Sequence, residues 1–423
     1  MDFEVPQVPT FIFKLGWRNL GSFVFSASHA RPNRQFTNSI QDRAAEFAPQ
    51  PHDTMSEPAK TFNGWVAHDA TNPLEFGKFT PKPFTETDVE ISVTHCGICG
   101  TDVHTLRSGW APTDYPCVVG HEIIGIVERI GSGVPTLASS TASREIRIGD
   151  RVGVGAQSGS CLKADCEACA DGEESYCTRM TGTYNGRYSD KSKSYGGFAE
   201  KWRGPAHFVF KIPDALPSAE AAPLLCGGVT VFAPLKKYGV GPGKKVGIVG
   251  IGGLGHIGIM FAKALGADQV VAISRSSSKK ADAVQGLGAD AFIATSEEKG
   301  WAKKYSRTLD VIISTVSGPD MPLGLYLRLL KRDGVFVQVG APEEPLPALA
   351  AFSLIQKGVK VTGSNIGSPE DIRQMLSLAA EKRVLPWIQK RDMRDVNAAL
   401  VDMHDGKARY RYVLQNGGKE AKL

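Results

Sequence analysis

Apolar and polar residues alternate in short runs through the first part of the chain, and the period changes near its middle. Over residues 62–211, runs such as Val89-Glu90-Ile91-Ser92-Val93 and Ile123-Ile124-Gly125-Ile126-Val127 predict short strands broken by turns, and hence a β-rich domain. Over 218–363, strand-length apolar runs alternate with helical ones. Strands are predicted at 245–250, 269–274, 311–314 and 335–339, with helices at 255–265 and 278–287. Such β–α alternation predicts a doubly wound parallel sheet of Rossmann type, in an α/β fold with a second, β-rich domain. A helix over 369–381 and short strands around 410–414 follow. Return of this tail to the β-rich part divides the chain into a β-rich domain of residues 55–215 and 365–423 and an α/β domain of residues 216–364. The Ser/Thr/Ala-rich stretch 135–143 reads as a surface loop.

Residues 1–54 differ from the rest. They lack sustained periodicity and hold five basic and five acidic residues. A mitochondrial leader is poor in acids, and a secretory signal places charge before an apolar run, so neither fits. The segment reads as a disordered extension or an upstream start, with the working protein beginning near Met55.

The whole chain of 423 residues has 49 Lys and Arg against 44 Asp and Glu, a formal charge of +5 spread without basic blocks. That excess is too small and too dispersed to predict nucleic acid or a membrane surface as partner. No run approaches the ~18–20 apolar residues of a membrane span. Eight cysteines, four of them within residues 161–177, read as reduced and metal-binding, which suits a cytoplasmic protein.

The first chemical motif is Gly250-Ile251-Gly252-Gly253-Leu254-Gly255, between a predicted strand and a predicted helix. In such a G-x-G-G-x-G loop the first glycine makes a tight turn and the second lets the backbone approach a pyrophosphate. The last lets helix pack on strand, and the helix N-terminus faces the phosphates. NAD binding calls for an acid about 20 residues further on, to hold the ribose 2′-hydroxyl. Here the chain reads Ser274-Arg275-Ser276-Ser277-Ser278-Lys279-Lys280. Ser274, Arg275 and Lys279 are matched to a 2′-phosphate, so NADPH is expected over NADH.

Two metal sites are expected. Cys161, Cys166, Cys169 and Cys177 offer four thiolates in a short stretch, which suits a closed, structural zinc. Cys99, His121 and Cys226 would supply two thiolates and an imidazole to a catalytic zinc with an open position. Spacing does not single out this second set: His121 reads equally as a core histidine, and Cys226 as a small buried hydrophobe. Cys96 and Cys117 read as packing residues. Trp110 reads either as lining a substrate pocket or as packing.

The words Cys96-Gly97-Ile98-Cys99-Gly100-Thr101-Asp102-Val103-His104, Gly120-His121-Glu122-Ile123, Gly149-Asp150-Arg151-Val152-Gly153, Pro223-Leu224-Leu225-Cys226-Gly227-Gly228-Val229-Thr230 and Gly363-Ser364-Asn365-Ile366-Gly367-Ser368 occur in this order, with the glycine loop and Ser274-Arg275-Ser276-Ser277 between. Together they resemble the zinc-containing medium-chain alcohol dehydrogenases. Within these, the chain is similar to the NADPH-dependent cinnamyl alcohol dehydrogenase branch, including its fungal broad-range members, over about residues 55–414. The resemblance implies a GroES-like catalytic domain and two zinc ions per chain. It implies Cys99, His121 and Cys226 as catalytic zinc ligands, Glu122 beside the metal and Asp102 orienting the imidazole. Thr101 and His104 resemble a proton relay. Thr230 and the segment from Ser364 to Ile366 resemble cofactor contacts. A homodimer paired through the nucleotide-domain sheets is implied as well.

Two features depart from the family. Its structural-zinc loop usually has two residues between the first cysteines, where this chain has four, which makes Cys161 the least typical ligand. The loop over 135–147 is also longer than usual. The implied chemistry is zinc-assisted, NADPH-linked reduction of an aldehyde, cinnamaldehyde-like or medium aliphatic, to a primary alcohol, and its reverse. The rival readings are a polyol dehydrogenase of the same superfamily and a non-catalytic nucleotide-binding relative. The absent acid after Ser274 and the cysteine at 226 count against the first, and the complete set of ligands and relay residues against the second.

Overall fold

The computed structural model describes residues 60–134 and 146–417. The extension expected over 1–54 and the loop expected over 135–143 lie outside them. Strands β1 (Phe62–Val66) and β2 (Glu75–Phe79) form an antiparallel ribbon. Next come β3 (Asp88–Gly97), β4 (Glu122–Ile130) and β5 (Arg151–Val154). The short β6 (Gln157–Gly159) and β7 (Thr181–Gly182) pair with each other, and β8 (Lys201–Pro205) and β9 (Val209–Lys211) follow.

A parallel sheet comprises β10 (Lys245–Val249), β11 (Gln269–Ser274), β12 (Ala291–Ala294), β13 (Leu309–Ser314), β14 (Leu330–Gln338) and β15 (Lys360–Gly363). The tail contributes β16 (Ile388–Asp392) and β17 (Arg411–Gln415). These join the β-rich sheet in the order β16-β17-β3-β4-β5-β9, with β8 also on β3. Strand β3 is shared between neighbours: β8 pairs with Asp88 to Ser92, and β17 with His95 to Gly97. The tail therefore lies against the residues that lead into Cys99.

The parallel sheet has the order β12-β11-β10-β13-β14-β15. Val246, Ile248, Val311, Ile313 and Val337 are buried with the helices Gly227–Lys237, Gly255–Ala264 and Pro369–Lys382. Ile273, Ile312 and Phe336 are buried with Trp301, Tyr326 and Leu327 on the other face. Cover on both faces is why these strands read as continuous apolar runs rather than alternating ones. The strand order reverses between β10 and β13, which opens a crevice at their carboxyl ends, where such sheets bind ligands.

Two stretches differ from expectation. The helix expected over 278–287 is a 3-10 turn at Ser277–Lys279 and a π-turn at Asp282–Gly286. The serine run favours turns and caps over helix interior. Gly286 packs under the Trp387 ring, and the Asp282 carboxylate accepts from the Tyr410 hydroxyl at 2.5 Å. The helix Gly227–Lys237 gives little sequence signal because it begins with two glycines and contains Pro234.

Charged groups fasten the start of β3. Glu90, 1% exposed, accepts from Arg203 on β8 at 2.8 and 3.2 Å and from Lys60 at 3.2 Å. Replacing Arg203 with Met strips the buried carboxylate of its main partner, at a cost of about 3–5 kcal/mol. Urea unfolding checks this, and adding Glu90→Leu to the same chain is expected to regain most of the loss.

Candidate active site

Strand β3 delivers Cys99 to the N-cap of the helix Gly100–Leu106. The Asp102 carboxylate, fully buried, accepts from the Cys99 backbone N–H at 2.7 Å and from the Gly120 N–H at 3.1 Å. One carboxylate thus holds the residue at 99 and the turn that presents His121. Gly120 has φ +96°, and a side chain there would collide with Phe198. Cys226 arrives from elsewhere, at the N-cap of the helix Gly227–Lys237. The result is Cys99 Sγ 3.8 Å from Cys226 Sγ and His121 Nε2 3.1 Å from the same sulfur, all three buried.

His121 Nδ1 lies 3.0 Å from the Tyr184 hydroxyl and 3.7 Å from Asp102 Oδ1. The Tyr184 ring also stacks on the imidazole, so Tyr184 and Asp102 orient it together. Burial alone would lower the His121 pKa; the neighbouring Asp102 and Cys99 charges outweigh it and raise the value to about 9. The Cys226 thiol, hydrogen-bonded to Cys99, holds Cys99 well below the usual thiol range against burial, and His121 adds to the effect. The pair therefore favours a thiolate at Cys99, the form that ligates a cation. Burial lifts the Glu122 carboxyl to about 7 even though it contacts the buried Arg411 guanidinium. Its Oε2 has no hydrogen-bond partner among the described residues. Thr101 Oγ1 lies 3.6 Å from Cys99 Sγ. Cys96 and Cys117 are fully buried, and burial pushes both thiols up, Cys117 to about 12.

The opposite wall is the 250–255 loop, at the switch point between β10 and β13. Gly250 turns with φ +88°. A Cβ on Gly252 would meet nothing within 4 Å, so its backbone faces open space. One on Gly255 would strike the Gly250 carbonyl. A cavity of about 780 Å³ is lined by Gly250, Gly252, Gly253, Leu254, Ser274, Arg275 and Lys279, among others. Lys279 donates to the Ile251 carbonyl at 2.6 Å. Arg411, which contacts Glu122, also packs on Gly253 and so touches both walls. Thr230, Ser364 and Ile366 do not line this cavity. Thr230 is buried in its helix, the Ser364 N–H bonds the Gln338 carbonyl at 3.2 Å, and Ile366 packs on the core with φ +55°.

The other cysteine cluster lies between β6 and β7. Cys161 Sγ is 3.6 Å from both Cys169 Sγ and Cys177 Sγ, and Cys166 Sγ is 3.9 Å from Cys177 Sγ. Cys161 is thus brought into the set despite its unusual spacing. Leu162 and Tyr176 are exposed, so the lobe has little core of its own. It is tied to the segment after β15: the Asn365 side-chain N–H donates to the Ser175 carbonyl at 2.7 Å, and its backbone N–H to the Tyr176 hydroxyl at 3.3 Å.

Residues 85–214 match the alcohol dehydrogenase GroES-like domain, and residues 253–381 match the zinc-binding dehydrogenase domain. NADP-dependent alcohol dehydrogenase 6 of Saccharomyces cerevisiae is 40% identical over 373 residues, covering 86% of this chain and 99% of that protein. The chain belongs to the zinc-binding dehydrogenases. A cinnamyl alcohol dehydrogenase structure from Sorghum bicolor superposes on this dehydrogenase with TM-score 0.78 at 39% identity, covering 86% of this chain and 100% of the other. A Helicobacter pylori cinnamyl alcohol dehydrogenase complexed with NADP(H) gives 0.74 at 32% identity, covering 84% and 98%.

The donors of this dehydrogenase fit zinc. Tetrahedral zinc with bonds of ~2.3 Å to sulfur spaces its sulfurs about 3.8 Å apart. The 161–177 sulfurs lie 3.6–3.9 Å apart, and Cys99 and Cys226 3.8 Å. Four sulfurs make a closed site, whereas two sulfurs and an imidazole leave a fourth position, beside which a Glu122 carboxylate oxygen lies within 4.8 Å of the other donors. Tyr184, Arg411 and Glu343, which contacts His104, were not found from the sequence. The one available signal is Arg411, a cation inside a strand otherwise apolar enough to be buried. Replacing Cys169 with Ala in this dehydrogenase is expected to lower bound zinc by one ion per chain and stability by about 2 kcal/mol or more. Metal analysis with denaturant unfolding checks both, and unchanged zinc would overturn the assignment.

Proposed function

We propose that this chain is a zinc-dependent alcohol dehydrogenase that reduces aldehydes to primary alcohols with NADPH and runs the reverse oxidation with NADP⁺. One observation carries the reading: the Cys99, His121 and Cys226 donors converge within 4.8 Å of one another with the two sulfurs 3.8 Å apart, and Arg411 reaches from the neighbouring Glu122 to the glycine loop. Zinc, when bound, acts as a Lewis acid on the substrate oxygen, and NADPH supplies the hydride.

The chain's own residues do the rest. Cys99, His121 and Cys226 would hold the catalytic ion, with Asp102 and Tyr184 fixing the imidazole and Glu122 kept in place by Arg411. Cys161, Cys166, Cys169 and Cys177 would hold the second ion. Gly250, Gly252, Gly253, Leu254 and Gly255 cradle the pyrophosphate, and the Thr101 hydroxyl and His104 move the proton between the substrate oxygen and water. Thr230, Ser364 and Ile366 are read as outer cofactor contacts. Trp110 stacks on His104 and is 43% exposed, and it is read as an aromatic lining that suits cinnamaldehyde-like substrates. The dinucleotide part is read as residues 216–364, and the catalytic part as 55–215 with 365–423.

The choice of NADPH rests on Ser274, Arg275 and Lys279, which ring the cavity where an acid would otherwise select the 2′-hydroxyl. The names of the yeast relative and the Helicobacter pylori complex support it. All eight cysteines are free and two clusters need thiolates, which supports a reducing, cytoplasmic setting. Among the described residues, no single helix is long and apolar enough to cross a membrane. A homodimer through the parallel sheets is supported by β15, an edge strand, beside Phe352 and Ile355, which are 76% and 68% exposed.

An aldehyde panel assayed with both reduced nicotinamides tests the activity, with NADPH expected to give the lower KM. Replacing Arg275 and Lys279 together with Ala is expected to raise the KM for NADPH by roughly 10- to 100-fold and leave that for NADH nearly unchanged. A wild-type KM for NADH at or below that for NADPH overturns the cofactor assignment. Introducing Glu at both 352 and 355 is expected to convert the dimer to monomers in light scattering.

A further inference from the structure

His104 lies in the helix Gly100–Leu106, and its ring is gripped on two sides. One face stacks on Trp110, with centroids 4.5 Å apart and planes 23° apart. Nδ1 contacts the Glu343 carboxylate. Nε2 has no hydrogen-bond partner among the described residues. Glu343 belongs to neither this helix nor its sheet: it follows β14 of the parallel sheet, so the contact spans the cleft between the two walls.

The chain makes room for the carboxylate. A side chain at position 109 would collide with it, and Gly109 leaves that space empty. A cavity of about 600 Å³ surrounds the pair, lined by His104, Arg107, Ser317, Glu343, Glu344 and His404. Arg107 is engaged elsewhere, with its Nη1 3.1 Å from both ring nitrogens of His404. Glu343 accepts no other side-chain hydrogen bond among the described residues.

An imidazole that gives its Nδ1–H to a carboxylate keeps Nε2 as its basic nitrogen, and the carboxylate also fixes the ring's orientation. We propose that Glu343 is a positioning residue for the proton relay, acting through His104 from across the cleft. This rests on the relay reading of His104 given above. In alcohol oxidation the substrate's hydroxyl proton, leaving from the Thr101 side, would pass to His104 Nε2, and NADP⁺, when bound, would take up the hydride. The Nδ1–H bond to Glu343 persists, and the imidazolium then loses its Nε2 proton to water. Aldehyde reduction runs the same transfers backwards.

The test is single-turnover alcohol oxidation by the zinc-loaded enzyme, with cofactor KM and the solvent deuterium isotope effect measured alongside. Glu343→Gln is expected to slow the turnover about 10-fold, to raise the isotope effect and to leave the NADP⁺ KM within roughly twofold. Gly109→Ala, which displaces the carboxylate without removing it, is expected to give the same defect. In a His104→Ala background, Glu343→Gln is expected to add no further loss, because the two act as one unit. Full rate in Glu343→Gln, an additive loss in the double variant, or a defect confined to NADP⁺ KM would each overturn the proposal. Full rate in His104→Ala removes the relay reading and this inference together; a slow His104→Ala beside a fast Glu343→Gln removes only the inference.

Discussion

A single buried carboxylate organises this enzyme. Asp102 receives the backbone N–H groups of Cys99 and Gly120, at 2.7 and 3.1 Å, and is itself fully buried. Unpaired backbone donors at that depth would cost about 1–3 kcal/mol each, so the two segments are fixed relative to each other. Everything at the candidate zinc site follows. The residue at 99 and the residue after 120 can face one sulfur at 226 only because both are tied to the same group. The negative charge of Asp102 raises the His121 pKa and, with the imidazole neutral as a ligand, complements the positive ion the site would hold.

The fold was legible where periodicity was strong. The parallel strands from 245 onward are buried on both faces, so their apolar runs stand out, and the tail strand near 411 was anticipated. The stretch 278–287 was misread because its spacing looks helical while its serines and Gly286 favour turns, and the Trp387 and Tyr410 contacts that decide the matter come from far along the chain. The glycine loop was legible because each glycine has a local steric reason. The trio Cys99, His121 and Cys226 was not legible from spacing, since nothing local distinguishes a ligand from a buried cysteine or histidine; only resemblance pointed to it. Tyr184, Arg411 and Glu343 escaped for a related reason. Each acts across a tertiary contact that leaves no periodic trace.

Those overlooked residues share a property. Arg411 comes from the tail strand, yet it touches Glu122 on one wall and Gly253 on the other. Glu343 comes from the parallel sheet, yet it meets a histidine of the β-rich part. The two walls of the cleft are thus joined at one end by a deeply buried pair and at the other by a half-exposed one. The first is costly to separate, because parting would strand a charge in the interior. The second faces water and parts at little cost. Motion of one wall against the other is therefore easiest at the Glu343 end.

The bonds from Asn365 to Ser175 and Tyr176 give the cysteine lobe a reach beyond its own few residues. Cys161, Cys166 and Cys169 are partly accessible, whereas Cys99 and Cys226 are enclosed. Peroxide or a thiol-reactive electrophile therefore meets the lobe first. Once its sulfurs are modified, the brace on the chain beyond β15 slackens while Cys99 and Cys226 are still intact. Chemical ageing of this dehydrogenase thus begins at its periphery, and a damaged molecule loosens around Asn365 before the inner thiols are touched.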